Sequence, residues 1–224
     1  MKFKIFLICT ALFAGPAWSN SEKVTSVDIY SPFYSAQGGK ADYVKVYQKI
    51  NALLLTNKKS DYEKASQIVR QEPAMITPMT MSVLAARAYD MGLRDEAVFW
   101  YFVARFRLMI LNDVLDLPKM NMAEYTDLNS LVGSFILPYA ACDLDKQQKI
   151  QNEALEWTKS NPYEALLLPQ LKSKHSDRKK AIKQAEDEVS EWVTKYQNYF
   201  SDLKNLEQFK QKRKASNIDK KFCW

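Results

Sequence analysis

Arg105 and Arg107 lie among Phe102, Val103, Phe106, Leu108 and Met109, surroundings in which an unpaired charge is costly. Guanidinium groups in such a place have two uses. They tie helices together through internal ion pairs, here with Asp90, Asp113 or Asp116, or they face a groove and hold an anionic ligand. The internal tie is the expectation, and the same two arginines are the candidate binding residues. His175 is the single histidine, and with Cys142 it makes a thiol and base pair in principle. One histidine leaves the usual zinc sets of several His and Cys unavailable, so no metal site is expected. Glu153, Glu156 and Glu164 stand near Trp157 and Tyr163, a mixture that suits glycan hydrolysis by paired carboxylates. Helical spacing sets no two of them on one face of a cleft, and they read as solvated or capping groups. The sequence holds no phosphate loop, dinucleotide fingerprint or Gly-x-Ser-x-Gly elbow, so neither a catalytic residue nor a cofactor is assigned.

The remaining cysteines bear on the compartment. Residues 1–19 carry Lys2 and Lys4, an apolar run from Ile5 to Ala14, Gly15-Pro16 and the triplet Ala17-Trp18-Ser19, the pattern of a secretory signal peptide cleaved after Ser19. The run is shorter than the ~20 residues that span a bilayer. Cys9 within it lacks the small residues that precede a lipoprotein cysteine. The style of the leader points to the bacterial periplasm. There, Cys142 and Cys223 are expected to form a disulfide, which pins the tail ending Phe222-Cys223-Trp224 to the body.

The elements that position these residues are helical throughout. Residues 20–40 mix Ser, Pro and Gly and read as an arm whose Tyr30, Phe33 and Tyr34 lie over the body. From Ala41 to Asn57, Tyr43, Val46, Tyr47, Ile50, Leu53 and Leu54 recur at three and four. Ser60 or Asp61 caps the next helix, which stops before Pro73. Thr77-Pro78 is an N-cap with proline at the first helical position, where a missing N–H costs nothing. Two helices joined at Gly92 follow, and the second carries Val98, Phe99, Trp100, Tyr101, Phe102 and Val103 in succession, which leaves no face for water. Asn121-Met-Ala-Glu124 and Asn161-Pro-Tyr-Glu164 have capping-box spacing. A helix from Asn121 would point Met122, Tyr125, Leu128, Leu131, Val132, Phe135 and Ile136 inward, with Pro138 kinking or ending it. Asp143 or Asp145 opens the next helix.

A last long helix is predicted over 176–212. Its seam is Ile182, Ala185, Val189, Trp192, Tyr196, Tyr199, Leu203 and Leu206, a heptad rhythm that Phe200 and Phe209 widen toward packing on several helices of its own domain. No stretch alternates long enough for a strand. The expected fold is all-α: an irregular helical-hairpin array over 41–171, with a long C-terminal amphipathic helix and docked tail over 172–224 packed on it as one domain.

Leu84, Tyr89, Gly92, Ala97, Trp100, Tyr101 and Ala104 reproduce the order of Leu, Tyr, Gly, Ala, Trp-Tyr and Ala in Sel-like repeats, and Ala65 and Ala97 are 32 residues apart, near the ~34-residue tetratricopeptide period. Residues 77–104 resemble one such repeat well, and 41–73 resemble one poorly, lacking the glycine and most aromatics. The resemblance implies a scaffold that binds other proteins along a concave face.

Charge narrows the partner. From Lys172 onward there are 14 Lys and Arg against 8 Asp and Glu, which accounts for the whole chain's +6. Such an end suits an acidic protein partner or an anionic membrane surface, and export disfavours nucleic acid. The expectation is an exported, non-enzymatic helical protein that binds another protein in the envelope, as an immunity protein against a delivered toxin or as an adaptor. The alternative is an envelope enzyme acting on peptidoglycan or glycan.

Overall fold

The computed structural model describes residues 48–117 and 119–223, with backbone alone at 48 and 119–124. The expected leader, the arm with Tyr30, Phe33 and Tyr34, the first turns of the 41–57 helix and Trp224 lie outside the described residues. Among them the fold is all-α. In chain order the helices are α1 (Gln48–Leu54), α2 (Lys59–Gln71), α3 (Pro78–Asp90), α4 (Arg94–Val114), α5 (Lys119–Ala140), α6 (Leu144–Ser160), α7 (Arg178–Ser201), α8 (Leu203–Ala215) and α9 (Ile218–Phe222). Short 3-10 turns sit at Pro73–Met75 and Glu164–Leu167.

Helix α4 is the axis. It packs on α3, α5, α6 and α7, and every residue from Ala97 to Ala104 is buried, as a helix with no polar face requires. The turn into it depends on Gly92, whose φ of +75° lies in the left-handed region. There the Leu93 N–H closes on the Ala88 carbonyl at 2.9 Å, a helix-ending turn that a side chain would strain. Ala85, Ala88, Ala97 and Ala104 are fully buried, and their small side chains let α3 and α4 approach closely. The Thr77 hydroxyl caps α3 by accepting from the Thr80 N–H.

Buried and half-buried arginines fasten the connections by donating to backbone carbonyls at helix ends and turns. Arg87 donates to Leu54 O at 3.1 Å and Thr56 O at 3.0 Å, holding the α1–α2 turn. Arg178 donates to Leu166 O and Leu168 O and also bonds Leu171 O, gathering the connection before α7. Arg107 does the same for the turn before α3, as described below. The end of α4 is tied to that later connection by a bridge at Leu115 and Ser173 and by the Asp116–Lys172 ion pair at 2.6 Å.

Several boundaries differ from expectation, each for a local reason. The predicted 176–212 helix is two helices. Asp202 accepts from the Lys204 and Asn205 N–H groups and so starts a new helix where a heptad reading continues the old one. The seam shifts with it. Ala181, Ala185, Val189, Val193 and Phe200 are buried, Trp192 and Tyr196 are half-buried, and Tyr199 and Leu203 are exposed at 47% and 81%. Helix α2 starts at Lys59 after Lys58 rather than at a Ser60 or Asp61 cap; the Asp61 carboxylate accepts from the Thr56 hydroxyl instead. Helix α5 begins at Lys119, ahead of the Asn121 box, and runs through Pro138 to Ala140; its Leu131, expected inward, is exposed. The Asn161 amide turns back to the Trp157 carbonyl and closes α6, so it caps the C-terminus of one helix and not the N-terminus of the next.

Candidate functional site

The side of α7 that faces α4 carries aromatics at intervals of four. Trp192 stacks on Tyr196 with ring centroids 5.5 Å apart, and Tyr196 meets Phe200 edge-on at 5.1 Å. Because the chain turns at Asp202, α8 brings Phe209 against Phe200 at 5.0 Å, which extends the row onto a second helix. Such offset and edge contacts are the favourable geometries for aromatic quadrupoles. Each end of the row carries an arginine. Arg105 of α4 lies 4.8 Å from the Trp192 ring centre, and Arg213 of α8 lies 5.5 Å from that of Phe209. The Tyr196 hydroxyl accepts from Gln147 Nε2 at 2.9 Å, and burial raises its pKa.

Trp192, Tyr196 and Phe209 of the row form one wall of a groove of about 330 Å³ where α4, α5, α7, α8 and α9 converge. Phe102, Leu137, Pro138, Ala141 and Ile218 complete its apolar lining; Arg105 and Arg213 are its charged residues, and no acid among the described residues lines it. A wider depression of about 830 Å³ adjoins it, sharing Ala141, Phe209 and Arg213.

The two arginines are held differently. Arg213 is paired: Nε donates to the Asp219 carboxylate at 2.7 Å and Nη2 to the Pro138 carbonyl at 3.0 Å. The Cys142–Cys223 disulfide runs beside it, with Arg213 Nη2 at 3.5 and 3.3 Å from its two sulfurs. Disulfide and arginine together hold α9 against the end of α5, so that Ile218 reaches the groove. Arg105 is not saturated. Its Nη1 donates to the Tyr101 hydroxyl at 3.3 Å, its buried Nε has no acceptor, and it faces no carboxylate among the described residues. The Tyr101 hydroxyl is itself seated on Gly133 of α5, where a Cβ would stand 2.6 Å from it.

Arg107, two residues on, points the other way. Nη1 donates to Pro73 O and Ile76 O at 2.8 Å each, and Nη2 donates to Asn161 O at 2.9 Å. It is fully buried and also lies over the Trp157 and Tyr163 rings. The expected ion pairs do not form: Asp90 pairs with Arg87 and Asp116 with Lys172. Arg107 is therefore a structural tie made to carbonyls rather than carboxylates, which removes it from the candidate binding residues. Arg105 keeps that place.

The other candidates separate. Cys142 is bonded to Cys223, and His175 lies elsewhere, exposed, with its ring on the Asp113 carbonyl at 3.0 Å. Glu153, Glu156 and Glu164 are all exposed. Among the described residues no group of His, Cys, Asp and Glu could hold a metal ion. Sequence reading missed Arg213, Leu137, Pro138 and Ile218 as neighbours of Arg105. The spacing of Phe209 and Arg213, one helical turn apart and ten residues before Cys223, was the available signal.

No family model and no solved structure matches the chain. It is 42% identical over 224 residues to a protein of Haemophilus influenzae described as an uncharacterized protein, a match that covers 99% of this chain and 88% of the relative. The chain belongs to that protein's family. Identity at this level over nearly the whole length implies a common fold. The disulfide is compatible with an exported protein, and among the described residues no helix is long and apolar enough to cross a membrane.

Proposed function

We propose that this chain is an exported protein of the bacterial envelope that works by binding another protein and carries no catalytic chemistry of its own. The observation that carries this reading is the aromatic groove, whose charged lining among the described residues is two arginines, Arg213 paired with Asp219 and Arg105 with no carboxylate. An apolar, positively charged recess on a helical scaffold suits an amphipathic segment with acidic residues. The leader pattern at 1–19, the disulfide and the basic balance after Lys172 support the compartment and the sign of the partner. The resemblance of 77–104 to Sel-like repeats supports a scaffolding role. An immunity protein against a toxin delivered into the envelope, or an adaptor, is an occupation of this kind.

The test is capture of a partner by the tagged full-length protein in the envelope under mild crosslinking. The expected result is an equimolar protein partner, released by salt and lost from the Arg105→Glu variant. Repeated failure to capture one, or capture that Arg105→Glu leaves unchanged, would count against the reading.

A further inference from the structure

Resting on that reading, we infer that the groove recognises a carboxylate borne on an apolar segment of the partner, with Arg105 as the residue that binds the carboxylate. The inference stands on what Arg105 lacks. A guanidinium in a largely apolar recess ordinarily meets a carboxylate or several carbonyls, and the other buried and half-buried arginines packed into this fold do so: Arg87 has Asp90, Arg213 has Asp219, and Arg107 and the half-buried Arg178 have carbonyls. Arg105 has one tyrosine hydroxyl; the buried Nε of both Arg105 and Arg107 has no acceptor, but the Nη atoms of Arg107 reach three carbonyls and those of Arg105 reach neither a carbonyl nor a carboxylate among the described residues. Stacking on Trp192 orients the plane of its guanidinium, so that less freedom is lost when a carboxylate binds.

The walls say what must accompany the charge. Apart from the arginines, the lining contributed by the described residues is apolar or aromatic, from Phe102, Leu137 and Trp192 to Phe209 and Ile218. A volume of about 330 Å³ is near the lower limit for a ligand pocket of roughly 300–1,000 Å³. It holds one or two large side chains, not a bulky cofactor. A short peptide stretch with Asp or Glu next to Leu or Phe matches both the charge and the size.

The probe is the peptide acetyl-Leu-Phe-Asp-Leu-Phe-amide beside its Asn counterpart, titrated into the full-length disulfide-bonded protein while the Arg105 Nε–H resonance is followed. The Asp peptide should bind about ten-fold or more tightly than the Asn peptide and shift that resonance, and the advantage should fall as salt rises. Arg105→Gln should abolish the difference between peptides with an unchanged melting temperature. Ala141→Trp, at the half-buried rim, should block both. Equal binding of the two peptides, or a preference that survives Arg105→Gln, overturns the inference. So does a groove already closed by a second copy of the chain, seen as a dimer the peptide cannot dissociate, or one competed equally well by anionic lipid vesicles. Loss of peptide selectivity with partner capture intact would overturn this inference alone. Failed capture with selectivity intact would overturn the functional reading alone.

Discussion

Replacing Arg107 tests whether carbonyl-bound arginines hold this fold. The guanidinium sits in the middle of α4 with no exposed surface, and burial pushes its pKa down to about 10, so it remains charged at neutral pH. Arg107→Met keeps most of the apolar stem and removes the charge. Of the three carbonyls left behind, that of Ile76 belongs to a buried residue and should cost about 1–3 kcal/mol unpaired. Those of Pro73 and Asn161 belong to half-buried residues that water can reach, so each should cost only the net value of a bond, about 0.5–1.5 kcal/mol. Against this, the charge no longer needs to be desolvated; its depressed pKa implies relief of about 3 kcal/mol at roughly 1.4 kcal/mol per unit. Arg107→Met should therefore lie between about 1 kcal/mol more stable and about 3 kcal/mol less stable than the parent. Arg107→Ala adds an unfilled cavity worth about 2–5 kcal/mol and should lose about 1–8 kcal/mol in all, more than Arg107→Met by that cavity. Urea unfolding followed by far-UV circular dichroism gives both values. An alanine variant within about 0.5 kcal/mol of the parent, or Met as damaging as Ala, would refute the argument.

Other perturbations follow from the same contacts. Intact mass without reductant should be two hydrogens below the reduced value; reduction should free α9 and lower stability by at most about 4.5 kcal/mol in the chain-entropy model for a separation of 81 residues, and less because α9 is short and peripheral. Two free thiols in the native protein would contradict the fold at that end. Gly133→Ala should destabilise by about 1–3 kcal/mol, because its Cβ displaces the buried Tyr101 hydroxyl, and it should also shift the Arg105 Nε resonance; an unshifted resonance would show that Tyr101 does not position Arg105. Lys172 holds the Asp116 carboxyl below its ordinary value. The stabilisation is present above the unfolded pKa of roughly 3.9 and lost as pH falls through the lower folded value, so Asp116→Asn should flatten the acid limb of the stability curve and leave the neutral region nearly unchanged.

Much of this fold is legible from residue order because the information is local. The all-α class follows from apolar spacing, the turn at Gly92 from the one residue that adopts φ of +75° without strain, the Thr77 cap from a hydroxyl before proline, and the burial of α4 from a run of apolar residues with no polar side. The pairing of Cys142 with Cys223 follows from there being few alternatives. The break at Asp202 was also local, but an uninterrupted heptad rhythm masked it: Asp202 satisfies two free N–H groups, which outweighs continuing the α7 stripe.

The uses of the arginines were not legible. Arg105 and Arg107 have the same neighbours in sequence, yet a rotation of about 200° around α4 sends Arg107 into the closed side between the turn at 73–76 and the end of α6, and Arg105 toward the ends of α5, α7 and α8. Carbonyls that receive a guanidinium are presented by turns far away in the chain, such as those of Pro73 and Asn161, and a backbone acceptor leaves no mark in side-chain chemistry. Residue types and their spacing thus determined which segments are helices and which face of each is apolar. Only the tertiary arrangement decided which charges are spent on the fold and which one stands over an aromatic wall with a tyrosine hydroxyl and no carboxylate among the described residues, because that depends on what the neighbouring helices bring to each side of α4.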